Sequence, residues 1–392
     1  MDIEKNVKQD SFNTNKVAIT TAAHGVHDTY TAFLPALLPF LIEKFSLTNT
    51  AAGSLSVFLQ IPSLIQPIIG FIADRRNLKL LTILAPAITG TTMSLLGIAP
   101  GYGFLVVLLL VAGTSSAMLH AVTPGISSSF SGKQLGKGMS FWMVGGEIGR
   151  VLGPLIAVSA LEFFLPGKLP WLMIGGIGAS AFLYLKLSSV TTLTTTERID
   201  IHWKDSLLKI RRMMLPIAGL IFTRSLMTAS LTTYLPTYLT TQGRSVWMAG
   251  ASLTILQAAG MVGVIIAGSL SDKYGRRVLL LVSYIATPLF ILFFISTGGI
   301  LQIISLILLG FSSISVAPVL MTIVHEHAPD NRSFANGIYM ALSFIMIALS
   351  TLLVGILSDA VNLRFTFLIS AGMLPIGIPI LWLLPKIKTA KT

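Results

Sequence analysis

The chain has 392 residues, 53% of them hydrophobic and only 11% charged, against roughly 25% charged in an ordinary soluble domain. Too little charge remains to coat soluble domains of this length, which excludes a soluble enzyme and leaves a polytopic membrane protein. With no cysteine the chain has no disulfide, thiol nucleophile or thiolate metal site, and its net charge of +12 is informative by location rather than as a nucleic-acid footprint.

Residues Met1 to Lys16 are polar and mixed in charge, unlike a cleavable signal peptide, so the first apolar segment is expected to be retained. A bilayer core of about 30 Å needs roughly 20 apolar residues per helix. On that measure twelve spans are expected, near 17–43, 51–73, 79–99, 104–131, 135–160, 169–187, 213–241, 247–270, 277–297, 299–323, 333–356 and 364–385. The long polar interruption carries Glu197, Arg198, Asp200, Lys204, Asp205, Lys209, Arg211 and Arg212. It divides the chain into a six-helix bundle over 1–186, a cytoplasmic central loop over 187–212 and a second six-helix bundle over 213–392. Lysine and arginine set the orientation. With the N-terminus cytoplasmic, the outer loops keep only Lys44, Lys168, Arg244 and Arg364. Both termini are therefore expected in the cytoplasm, and the chain in the cell's inner (cytoplasmic) membrane.

The halves repeat. Gly70-Phe-Ile-Ala-Asp74-Arg75 returns as Gly268-Ser-Leu-Ser-Asp272-Lys273, Phe33-Leu34-Pro35 as Tyr234-Leu235-Pro236, and Gly113-Thr-Ser115-Ser116 as Gly310-Phe-Ser312-Ser313. Offsets of about half the chain indicate a duplicated six-helix unit, an architecture that places substrate near the membrane midplane between rocking bundles.

Four full charges fall inside expected spans, Asp28, Glu147, Arg150 and Arg224, joined by His24, His27 and His120. Each charge costs about 2.5–3.5 kcal/mol at a helix centre, so four are not carried without a use. His24, His27 and Asp28, at i, i+3 and i+4, share one helical face, and Glu147 with Arg150 at i, i+3 can pair along their helix. The repeat supplies a control. The second-half counterparts of His24, His27 and Asp28 are Ser225, Thr228 and Ala229, while His120, Glu147 and Arg150 map to Ala317, Met346 and Leu349, and Arg224 maps back to Ala23. The common fold demands none of the seven. A proton site on Asp28, tuned by His24, His27 and His120, is expected, with Arg224 stabilising its charge or holding an anionic substrate, and Glu147 and Arg150 as further substrate contacts. The competing reading is a buried charge network that only locks helices together.

Gly145-x-x-x-Gly149-x-x-x-Gly153-Pro154 admits a close neighbouring backbone, as small-xxx-small faces do. His325-Glu326-His327 does not read as a metal site, because histidines at i, i+2 do not share a helical face. No metal or cofactor is expected. No phosphate-binding glycine loop points to ATP, and no catalytic triad points to an enzyme.

The stretch Gly268-x-x-x-Asp272-Lys273-x-Gly275-Arg276-Arg277 resembles the loop signature of the major facilitator superfamily, with a degraded copy at Gly70, Asp74 and Arg75. The resemblance implies an all-α membrane fold of twelve transmembrane helices in two pseudo-symmetric six-helix bundles, with these loops as cytoplasmic conformational latches. It also places spans 1, 4, 7 and 10 around the cavity, with Arg224 facing the first-span cluster. Gly355-x-x-x-Asp359 has the same spacing but falls on the other side of the membrane, so it is not a third copy of the loop. His24-Gly-Val-His27-Asp28, Gly113-Thr-Ser-Ser116-Ala-Met-Leu-His120 and Val144-Gly-Gly146-Glu-Ile-Gly149-x-x-x-Gly153-Pro154 resemble the fosmidomycin-resistance branch, from which Glu147 and Arg150 depart. That branch implies a proton-coupled antiporter exporting a small anionic or amphipathic molecule, a drug-efflux and antibiotic-resistance activity. Its partners would be the small molecule, protons and the lipid bilayer, without nucleic acid, and the protein would be a monomer. The alternatives are a proton symporter or facilitator importing an organic anion, and a membrane receptor that senses its ligand without transport.

Overall fold

The computed structural model describes residues 11–73, 76–164, 166–188, 203–327 and 332–384. Every regular element among them is helical. Among the described residues eleven helices are long and apolar enough to cross a bilayer, from Asn49–Ala73 to Leu363–Leu383. The first expected span lies outside that set for a physical reason. It is built in two pieces, Thr14–Thr31 and Phe33–Phe45, and the first piece carries the histidines and Asp28. Pro35, two residues into the second piece, has no N–H to donate and its ring crowds the carbonyl four residues earlier, so the helix breaks at Ala32. The seventh span repeats the device: Trp203–Thr233 stops, Tyr234 intervenes, and Leu235–Thr241 resumes with Pro236 in its first turn.

The chain forms two compact units, Met1–Leu37 with Phe58–Arg198, and Leu38–Val57 with Ile199–Thr392. Residues 38–57 therefore belong spatially with the second unit, although they precede most of the first in sequence. In the first unit the helix Thr14–Thr31 packs most extensively on Leu135–Phe164; in the second, Trp203–Thr233 packs on Arg332–Val361. These are equivalent pairs, first span on fifth and seventh on eleventh.

Individual contacts repeat as well. A Cβ on Gly113 would overlap the carbonyl oxygen of Leu59, and a Cβ on Gly310 would overlap that of Leu256. Both partners are shifted by the same number of residues. Thr89 donates to Ser115 Oγ at 3.0 Å in the first unit, and Thr287 to Ser312 Oγ at 3.0 Å in the second. In lipid, where apolar burial drives helices together only weakly, such small-residue contacts and hydroxyl bonds supply the association. Thr20 with Ser127, Thr82 with Thr123, and Ser230 with Ser370 add further buried interhelical pairs. The outward faces carry the large apolar side chains, among them Phe163, Leu185, Leu215 and Ile300, as lipid contact requires.

Candidate functional site: a histidine–carboxylate cluster and an arginine-lined cleft

Gly145, Gly149 and Gly153 let the fifth span lie directly on the first. A Cβ at these three positions would overlap the carbonyl oxygens of Thr21, Gly25 and Thr29 respectively. The close approach sets the site. It brings the Trp142 carbonyl to 2.8 Å from His24 Nδ1 and stacks the indole on the imidazole, ring centroids 3.9 Å apart. Gly146 faces the cluster itself: a Cβ there would stand 2.7 Å from His24 Nε2 and 3.0 Å from Asp28 Oδ2.

Five of the seven intramembrane residues converge here. His24 Nε2 lies 3.3 Å from Asp28 Oδ2 and 3.2 Å from His120 Nε2. His120 Nε2 lies 3.6 Å from Asp28 Oδ1, and Arg150 Nε 3.8 Å from Asp28 Oδ2. Arg150 Nη2 bonds Glu147 Oε1 at 2.6 Å. The sequence pairs Glu147 with Arg150 along one helix; the structure shows that the same guanidinium also reaches Asp28, so the basic group beside Asp28 within its own unit comes from the fifth span.

The hydrogen bonds assign the tautomers. A carbonyl only accepts, so His24 Nδ1 carries the hydrogen that it gives to Trp142 O, and His120 Nδ1 carries the one given to Ser116 O at 2.9 Å. In the neutral rings both Nε2 atoms are then lone pairs. They point at each other and at the Asp28 carboxylate, so three acceptors meet with no hydrogen among them, an arrangement completed by an added cation. The ligand atoms of His24, Asp28 and His120 lie within 4.8 Å of one another, close enough for a metal ion as well. The fixed positive charge of Arg150 at 3.8 Å from the same carboxylate opposes a divalent ion more strongly than a single proton.

His27 stands apart. It is fully buried, its ring centroid 5.8 Å from that of His120, yet neither ring nitrogen bonds Asp28, His24 or His120, and the polar group beside it is the Ala85 backbone. Sequence reasoning grouped it with the cluster by helical face; the hydrogen-bonded network leaves it out. The same reasoning missed the backbone carbonyls of Ser116 and Trp142. Ser116 stands one turn before His120 and was legible from spacing, whereas Trp142 comes from another helix.

Arg224 lies in the second unit. It lines a narrow crevice with Thr228, Ser283, Tyr284, Thr287 and Ser313, and its Nε and Nη2 both point to Ser313 O at 3.3 Å. These are long bonds to a neutral acceptor, and among the described residues no carboxylate forms an ion pair with Arg224.

Of the expected latch residues, Asp74 and Arg75 lie outside the described residues, and the helix face at Gly70 is open. The second copy is a network. Arg276 bonds Asp272 Oδ1 at 2.5 Å and Glu326 Oε1 at 2.9 Å, and also reaches Ser271. Arg277 donates to the Leu384 carbonyl, and Lys273 sits 5.2 Å over the Tyr274 ring. Gly275, at φ +95°, ends the helix in a conformation that favours glycine. Gly268 meets open space. His327 bonds its own helix at Ile323 O.

The chain matches known proteins over most of its length. The family model of the Major Facilitator Superfamily matches residues 21–350 and 264–392. The fosmidomycin resistance protein of Escherichia coli strain K12 is 24% identical over 382 residues, covering 91% of each chain. The structure of the nucleoside transporter NupG superposes with a TM-score of 0.75 at 15% identity over 96% of this chain and all of that one. The structure of a D-xylose–proton symporter superposes with a TM-score of 0.73 at 15% identity over 93% and 96%. The chain therefore belongs to the major facilitator superfamily, a family of membrane transporters and not of enzymes, and within it resembles the fosmidomycin-resistance branch.

Proposed function

We propose that this transporter is a proton-coupled antiporter that expels a small molecule bearing an anionic group. The reading rests on one observation above all: His24 Nε2, His120 Nε2 and the Asp28 carboxylate face one another at 3.2–3.6 Å with both imidazole tautomers fixed by backbone carbonyls. Two carboxylates and one guanidinium leave the cluster with one uncompensated negative charge when the histidines are neutral. One proton supplies both the missing hydrogen and the missing charge. Arg224, whose acceptor among the described residues is a neutral carbonyl, is the anion-binding group in this reading, and Ser283, Thr287 and Ser313 line the same crevice. Alternating access exchanges the two ligands when protonation of the cluster and occupancy by substrate favour different states. Export follows from the resemblance to the fosmidomycin resistance protein, and a monomer in the inner membrane with both termini cytoplasmic completes the reading.

The test uses inside-out vesicles with an imposed proton gradient and a pH-sensitive dye. Fosmidomycin and a panel of small organic anions are added to wild type and to Asp28→Asn. Proton release on adding one compound, absent in the variant, is the expected result. Proton movement in the opposite sense would replace export by symport. Ligand binding without flux would replace transport by sensing.

A further inference from the structure

The motif Gly355-x-x-x-Asp359 is unused by the reading above, and it does something specific. The helix that begins at Asn49 must satisfy its first N–H groups from outside its own ladder. Thr48 does part of this, its Oγ1 accepting from Ala51 N at 3.2 Å. The two N–H groups ahead of Ala51 are bonded by the Asp359 carboxylate, Oδ1 taking Asn49 N at 2.7 Å and Oδ2 taking Thr50 N at 2.9 Å. Thr50 Oγ1 adds a third bond to Oδ2 at 2.6 Å. A carboxylate at a helix N-terminus also meets the positive end of the macrodipole, and charge-assisted bonds of this kind are stronger than neutral ones.

A second contact lies beside the first. Tyr234, at the break of the seventh span, holds its hydroxyl 3.0 Å from both Asn49 O and Thr351 O, donating to one or the other. Two glycines make the room. A Cβ at Gly53 would overlap the Tyr234 hydroxyl, and a Cβ at Gly355 would stand 2.7 Å from it and 2.9 Å from Thr50 Cα. The start of the second span, the break in the seventh and the end of the eleventh are thus fastened together. Residues 38–57, which include this fastened turn, group with the second unit although the chain enters the first unit at Phe58.

We propose that Asp359, Tyr234 and the Asn49–Thr50 turn form a latch at the membrane face opposite the lysine- and arginine-rich loops, and that this face opens only when the latch breaks. The second span must travel with the first six-helix bundle when the two bundles rock, so the helix cap supplied by Asp359 is a bond that each transport cycle makes and breaks. The proposal stands on family membership and this geometry, independent of substrate and coupling ion.

The chain contains no cysteine, so single-cysteine labelling tests the latch directly in intact membranes. Ser56→Cys and Ser350→Cys place buried reporters on the two helices that the latch joins, and Ser127→Cys places one inside the first unit as a monitor of unfolding. Reaction with a membrane-impermeant maleimide is timed with and without Asp359→Asn. Labelling at 56 and 350 about ten times faster, the factor given by about 1.4 kcal/mol, with position 127 still protected, is the expected result. Unchanged labelling at 56 and 350 would overturn the latch. Faster labelling at all three positions would reduce it to a structural brace and overturn it equally. Thr50→Val and Tyr234→Phe, which each remove a single hydroxyl, give the same readout with smaller increases if Asp359→Asn does not accumulate.

Discussion

The first and seventh spans occupy equivalent places in a duplicated fold, and they have been filled with opposite chemistry. In the first unit His24 and Asp28 meet His120, and the glycine stripe of the fifth span brings Glu147 and Arg150 against them. At the matching places in the second unit Ser225 turns its hydroxyl back to Ile221 O of its own helix, and Thr228, Ala229, Ala317, Met346 and Leu349 offer no charge. There the lone basic group Arg224 faces a carbonyl and hydroxyls, where the first unit carries small Ala23. One unit holds a crowded network short of a single positive charge, the other a guanidinium short of a negative one. Duplication supplies the scaffold, and divergence after it supplies the two half-sites on which the proposed proton-coupled exchange rests.

Substitutions can break this contrast in order of severity. Asp28→Asn removes the charge about which the first cluster is organised. Substrate-driven proton movement in vesicles is expected to fall by at least about a hundredfold, consistent with the usual worth of a positioned proton-transfer group, while the protein still inserts. Coupling at wild-type rates would remove Asp28 from the site. Gly146→Ala drives a methyl into His24 and Asp28. A stability cost of about 1–3 kcal/mol from overpacking is expected, with about a tenfold loss of coupling; a variant that matches wild type in thermal melting and flux would contradict the packing described here.

Arg224→Ala addresses the other unit. Loss of a charged hydrogen-bonding group is worth about 1.5–3 kcal/mol, so binding of anionic compounds should weaken about tenfold or more while neutral analogues change little. Equal losses for both, measured by ligand-protected thermal shift, would show that Arg224 has no role in holding an anion. The smallest effect is expected at His27. Its nitrogens are buried and bond none of His24, Asp28 and His120, so its loss leaves the bonds of the cluster in place. His27→Leu should keep coupled transport within about twofold and match or exceed wild-type stability by up to about 1 kcal/mol. A large loss of proton coupling in this variant would return His27 to the network.

Most of the architecture was legible because membranes simplify the problem. Apolar run length and an offset of half the chain between motifs are local or periodic signals, and each survives without tertiary information. The first span shows where such signals weaken. Its charges make it a poor hydrophobic helix by composition, and Pro35 divides it, yet it carries the site. The glycine spacing in the fifth span announced a close helix contact, though not which helix would fill it or that Gly146 would face His24.

By itself, then, the sequence determined the fold class, eleven membrane-capable helices, the internal repeat and the seven polar residues that are costly to place in a bilayer. Helical periodicity placed His24, His27 and Asp28 on one face, because rotation per residue is a local property. Only the tertiary structure separated His27 from its neighbours, set Arg150 beside Asp28, chose the histidine tautomers through Trp142 and Ser116, and gave Asp359 to a helix some three hundred residues away. Those outcomes depend on which backbones approach each other and at what register. In an apolar solvent many registers bury similar surface, and only the fit of small residues and the pairing of every buried polar group selects among them.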